Sequence, residues 1–357
     1  MLLQRRSSIL RPFALLFVLV AGLAVAHVAT LSAAQAAPLG GLKQFRVPTA
    51  DSAPRHITVG SDRNLWFTEG NEIFTPDPDP DMGGTFHRNI GMITPAGDIT
   101  EFRIESGIEP NQCFCSPNDI VQGPDGILYF TTNDPGLGRI TTEGEVLPFV
   151  APDNSLANGG GIAAHLDDIW YTDFNNDSIW RYDIPSGEFT EFPVTPGATP
   201  VDVAVASDGF VWFTERGDGA IGRLDPQSGA FTETSVPGGD AALLSQIAIA
   251  PDGSVWFTEL LGHAVGRLVP ATNQVTEFPT PGVGPEGIVA TQGGVLWFTQ
   301  AVTGNIVRIT PNADGTITFS EGKIVKNSNP LGITIGPDGN PWYAMESANK
   351  IATLQLR

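Results

Sequence analysis

Residues 247–279 read IAIAPDGSVWFTELLGHAVGRLVPATNQVTEFP. A short apolar run, Ile247–Ala250, meets the turn Pro251-Asp252-Gly253, and a second run, Val255–Thr258, carries the aromatic pair Trp256-Phe257. After a glycine-containing turn come AVGRLVP at 264–270 and QVTEFP at 274–279. Asp-Gly between alternating apolar residues is a hairpin signal, and the β-branched and aromatic content suits strands rather than helix. The stretch therefore encodes four antiparallel strands.

The aromatic pair recurs as Trp66-Phe67, Tyr129-Phe130, Trp170-Tyr171, Trp212-Phe213, Trp256-Phe257, Trp297-Phe298 and Trp342-Tyr343. After a first interval of 63 residues the spacings are 41, 42, 44, 41 and 45. Four strands repeated at that period predict an all-β, seven-bladed β-propeller of four-stranded antiparallel blades. The last copy stops after its third strand, NKIATLQLR at 349–357, while LKQFRVP at 42–48 has the fourth-strand pattern. Gln44–Val47 is expected to pair with Ile351–Leu356, so that the N-terminal strand closes the last blade and hides a sheet edge.

Residues 1–36 read as a signal peptide. Arg5, Arg6 and Arg11 precede an apolar run from Phe13, and Ala34-Gln35-Ala36 has the small-residue cleavage pattern. Residues 37–357 are then the propeller domain, secreted or otherwise extracytoplasmic. Loss of the leader takes the 19 basic residues down by 3 to 16 against 39 acidic ones, a net charge of −23. Such a surface repels nucleic-acid phosphates and anionic lipid, so neither nucleic acid nor membrane is expected as a partner. A monomer acting on a small molecule is the expectation. Cys113 and Cys115 in QCFCSP are too close for an unstrained disulfide and read as thiols or a local clip.

In an antiparallel blade the start of strand one and the end of strand two lie at the same end of the propeller. Residues entering strand one (Arg55, His56, Asp119, Asp202, Gln246, Glu286) and leaving strand two (Asp173, Glu215, Glu259, Gln300, Glu346) are therefore expected around one mouth. So many carboxylates predict a divalent cation, magnesium or calcium, there. His56 and His263 are the histidines placed to serve as acid or base. Blade one carries an insertion at about 71–89, EIFTPDPDPDMGGTFHR in its middle, that rises from this mouth as a possible cover. Its Asp77, Asp79 and Asp81 match a calcium loop poorly, because prolines interleave them and Gly83 comes one place late.

SDGFVWFTERGDGAIGRLDP at 207–226, PDGSVWFTELLGHAVGRLVP at 251–270 and PLGITIGPDGNPWYAMES at 330–347 resemble blades of the virginiamycin B lyase (streptogramin B lyase) family. The resemblance implies elimination at the ester bond of a cyclic depsipeptide, using magnesium held by glutamates and a histidine base. It also implies that Glu346 and Asn329 stand at the two metal positions, with Asn329 replacing a glutamate. Leu331 stands where the catalytic histidine is expected, Glu286 where another histidine is, and Arg55 where a tyrosine is. Leucine accepts no proton, so His56 or Glu286 would have to serve as stand-in base. Three readings stay open: a divergent metal-assisted lyase, a non-catalytic ligand- or protein-binding propeller, and a lactonase-type hydrolase.

Overall fold

The second strand is buried along its whole length in six of the seven blades, from Leu65–Glu69 in blade one to Pro341–Met345 in blade seven, and in blade three from Ile169 onward. Its alternation explains why two aromatics stand side by side. Successive side chains leave a strand on opposite faces, so the pair packs against two different neighbours. Phe257 packs on Trp212 of the preceding blade, and Trp256 on Leu296 and Phe298 of the following one. Each pair thus joins three consecutive blades, and truncating one such buried ring costs about 3–5 kcal/mol.

The computed structural model describes residues 39–71, 73–76, 84–104, 116–132, 136–152 and 159–356. They form seven antiparallel sheets arranged as a seven-bladed propeller. Blade five is typical, with strands Leu244–Ile249, Val255–Glu259, Ala264–Val269 and Gln274–Pro279 in sequential order. The first strands pack side by side around the centre. Pro54–Val59 touches both Pro117–Gln122 of blade two and Pro330–Ile335 of blade seven, so the ring closes. A single short 3-10 turn, Gly239–Ala242, is the helical content among the described residues.

Closure is as the sequence predicts. Gly41–Arg46 pairs antiparallel with Lys350–Gln355, Gln44 opposite Ala352 and Arg46 opposite Lys350. Phe45 stacks on Trp342 with centroids 5.6 Å apart and planes at 12°. Asn349 holds the chain as it leaves this strand, donating Nδ2–H to the Thr49 carbonyl at 2.7 Å and accepting from the Ser52 N–H at 3.1 Å.

Blade one differs as its insertion foretells. Its third strand, Gly84–Ile93, pairs with Leu65–Glu69 only from Ile90 to Ile93, and beyond that its first residues pair with Ile73–Pro76. The insertion therefore includes a hairpin that prolongs the third strand at the mouth end. Asp77, Asp79, Asp81, Cys113, Cys115 and the signal segment lie outside the described residues.

Candidate functional site at the propeller mouth

Every first strand is irregular at one place. Pro54 faces Glu69 and Ile57 faces Phe67, so Arg55 and His56 together oppose the single Thr68. The same two-against-one bulge occurs at 118–119, 160–161, 201–202, 245–246, 286–287 and 331–332. These are the positions that the sequence assigns to the mouth. A bulge bends the strand and re-aims its side chains, here towards the central channel.

In six blades the threonine after the aromatic pair joins the bulge to the next blade. Thr258 Oγ1 accepts from the Gln246 N–H at 3.0 Å and donates to the Glu286 carbonyl of blade six at 2.6 Å. Thr68, Thr131, Thr172, Thr214 and Thr299 each donate in the same way to the bulge of the blade that follows. Blade seven has Ala344 instead, and there the backbones close directly: a Cβ on Gly332 would lie 2.7 Å from the His56 Cα.

Second bulge residues meet in the channel. His56 Nδ1 is 3.1 Å from Asp119 Oδ1 of blade two and 3.0 Å from Gln246 Nε2, which reaches across from blade five. Contact between blades one and five spans the channel, so these side chains form the floor of the mouth. Asp202 joins the floor from blade four, accepting the Val203 and Ile247 N–H groups at 2.9 Å each. Gly161 lies beside it, and a Cβ there would fall 2.0 Å from Asp202 Oδ1. Burial lowers the His56 pKa, but the charge and hydrogen bond of Asp119, with the charges of Asp202 and Glu286, outweigh it and raise the value overall. Asp202 is pushed up to about 7 by burial, then by Asp119. A carboxylate only accepts, so the His56 nitrogen facing Asp119 at 3.1 Å is the donor there, and Nδ1–H cannot then accept from the Gln246 amide. Glu286 accepts from Ser245 Oγ at 2.6 Å beside this floor.

A second group sits where blade seven meets blade one. Glu346 Oε2 accepts from Asn329 Nδ2 at 2.6 Å, and Oε1 from Arg55 Nε at 3.2 Å. The Glu346 N–H also bonds the Asn329 carbonyl at 3.1 Å, locking the two segments together. The Arg55 and Glu346 side chains are 33% and 24% exposed.

The acids that leave strand two need correcting. Leu65, Phe67 and Glu69 share one face of their strand, so Glu69 points back at the preceding blade and not into the mouth. Glu215 and Glu259, expected as metal ligands, are enclosed at two different seams, as are Asp173 and Gln300. Burial, then the neighbouring Glu233, pushes Glu215 up to about 8, and burial, then Glu277, pushes Glu259 to about 7. Asp173 caps its own turn, accepting the Asn175 and Asn176 N–H groups at 3.2 Å each. Glu346 is no copy of these acids. Met345 holds their position, and Glu346 stands one residue later, in register with Gly70, Arg216 and Leu260. His263 is exposed on its turn, with Nδ1 3.1 Å from the Leu260 carbonyl, and joins neither group.

The virginiamycin B lyase family model matches residues 28–198 and again 187–357. The chain belongs to this family. A virginiamycin B lyase from Nocardia farcinica is 28% identical over 165 residues, 46% of this chain and 50% of that protein. The chain thus spans about half the length of the curated relative it matches. A streptogramin B lyase structure superposes with a TM-score of 0.73 at 29% identity, covering 89% of this chain and 98% of that one. The virginiamycin B lyase of Staphylococcus aureus gives 0.73 at 28%, covering 89% and 99%. The extracellular domain of a B. thetaiotaomicron two-component system, at 14% identity and TM-score 0.65 over 88% of this chain and 42% of that one, shares the fold.

The magnesium that the family resemblance implies does not fit the residues present. Both oxygens of Glu346 already accept N–H donors, and one of those donors is a cation. Asn329 turns its NH2, not a lone pair, towards the site. Among the described residues no three of His, Cys, Asp and Glu converge as ligands. No helix of the described residues is long and apolar enough to cross a membrane.

Proposed function

We propose that the chain is an exported member of the virginiamycin B lyase family that acts on an ester-containing small molecule, with its base moved to the channel floor. The observation that carries this reading is the His56–Asp119 pair at 3.1 Å. Asp119 holds Nδ1–H, which leaves Nε2 as the basic atom, and Nε2 has no partner among the described residues. The side chain is 20% exposed, enough for a substrate in the mouth to reach it. Leu261 and Val302, 58% and 69% exposed, stand on the turns of blades five and six at this same end and suit the apolar part of such a ligand.

In the reaction this supports, Nε2 removes a proton from the carbon next to the ester-bearing carbon. That C–H electron pair becomes a carbon–carbon double bond as the C–O bond breaks, and the ester leaves as a carboxylate. No water is consumed, so a cyclic ester opens to a product of unchanged mass, whereas a lactonase-type hydrolysis would add one water.

Incubation with a streptogramin B antibiotic, followed by mass spectrometry, tests the proposal. Linearisation without mass change is expected, falling about 10²–10⁴-fold in His56→Ala and unchanged by chelator. An intact antibiotic that nonetheless raises the melting temperature would sink the lyase reading and leave a ligand-binding propeller.

A further inference from the structure

The Glu346 carboxylate has its charge balanced from within the chain. Arg55 Nε reaches one oxygen at 3.2 Å and Asn329 Nδ2 the other at 2.6 Å. Room for the guanidinium comes from Gly70. A Cβ at that position would lie 2.3 Å from Arg55 Nε and 2.6 Å from Cζ. Other blades carry Phe174, Arg216, Leu260 or Ala301 in the equivalent register. Blade one thus combines the arginine with the one side-chain-free residue that accommodates it.

We infer that Arg55 is the resident cation of this mouth, standing at Glu346 in place of a divalent ion and offering its terminal amino groups to a carboxylate of the ligand. A metal ion here would have to displace a guanidinium from its own counter-ion and turn the Asn329 amide around. Nη1 and Nη2 of Arg55 have no partner among the described residues, and two parallel N–H donors match the two oxygens of a carboxylate. Glu346 already balances the guanidinium charge, so the free N–H fork, and not net charge, selects a carboxylate. This inference does not rest on turnover at His56, and it is tested without a substrate.

The test is titration of the full folded chain with Mn²⁺, followed by electron paramagnetic resonance, and with benzoate, followed by calorimetry. The wild type is expected to bind no Mn²⁺ at Glu346 and to bind benzoate saturably. Arg55→Gln, checked for an unchanged far-ultraviolet circular dichroism spectrum, is expected to weaken benzoate binding at least about 10-fold, and Arg55→Lys to recover it only in part, because lysine lacks the fork. Arg55→Gln combined with Asn329→Asp is expected to gain one Mn²⁺. One Mn²⁺ bound by the wild type and lost in Glu346→Gln overturns the seat assignment. Absence of saturable benzoate binding, or binding unchanged in Arg55→Gln, overturns the carboxylate assignment.

Discussion

At the scale of single residues, His56 sets how the mouth responds to pH. His56 has its pKa raised by Asp119, Asp202 and Glu286 against the opposing effect of burial. A base must be unprotonated, so activity is expected to rise with pH on a limb above the ordinary imidazole value of about 6.5. Asp119→Asn removes the charge that raises that limb and the acceptor that orients the ring. The pH–rate profile of the variant is expected to shift to lower pH with a reduced plateau. A limb unmoved in Asp119→Asn would show that His56 is not the titrating base. Thr258 shows what a single hydroxyl does for the scaffold. Thr258→Val leaves the Gln246 N–H and the Glu286 carbonyl without the bonds they now make at 3.0 and 2.6 Å. Urea unfolding is expected to register a loss of about 1–3 kcal/mol.

At the scale of strands and seams, the buried acids set the pH response of the fold. Glu215 packs at the seam of blades three and four, where burial first, then Glu233, and further Asp218 and Asp177, push it up to about 8. Its unfolded value is the ordinary carboxylate one, about 4.3. The folded state therefore holds more protons between those two values, and stability falls as pH rises through that window. Glu215→Gln keeps a hydrogen-bonding group without the charge. Its melting temperature is expected to exceed the wild type's above pH 8, with the difference vanishing near pH 4. A constant difference across that range would refute the assignment. The closing strand is the other element-level device. Phe45→Ala removes the ring stacked on Trp342, an aromatic contact that ties Gly41–Arg46 to blade seven. The expected loss is about 2–4 kcal/mol by chemical denaturation, since the ring is half-buried.

For the whole molecule, closure makes the seven blades interdependent while the charge pushes them apart. The chain carries a net charge of −20, and Glu69, Glu215 and Glu259 are buried. Screening weakens such repulsion between exposed groups. Raising ionic strength at pH 8 is expected to raise the melting temperature by a similar amount in the wild type and in Glu215→Gln, because a buried carboxyl is screened far less than exposed ones.

The architecture was legible because it is written seven times. An aromatic pair repeated seven times, four of them after an Asp-Gly turn, leaves little choice of fold, and the mismatched ends, 42–48 and 349–357, show where the ring closes. The mouth positions could also be read, since they lie nine to eleven residues before the first aromatic of each pair, although the bulge that re-aims them was not. The role of the third-strand glycine was missed, although it recurs in the pattern. Gly222 and Gly266 each lie under the ring of their own blade, Phe213 and Phe257, where a Cβ would come within 2.1 and 2.0 Å. Strand alternation alone could have turned Glu215 and Glu259 away from the mouth, because each shares a face with the aromatic two residues before it. Other facts needed the tertiary structure. The meeting of His56 with Asp119 and Gln246, residues 63 and 190 positions away, depends on the radius at which seven inner strands close. So does the pairing of Arg55 with Glu346, 291 positions apart. Sequence determined the scaffold through local periodicity, whereas ring closure decided which side chains share the centre, because it alone fixes distances between blades.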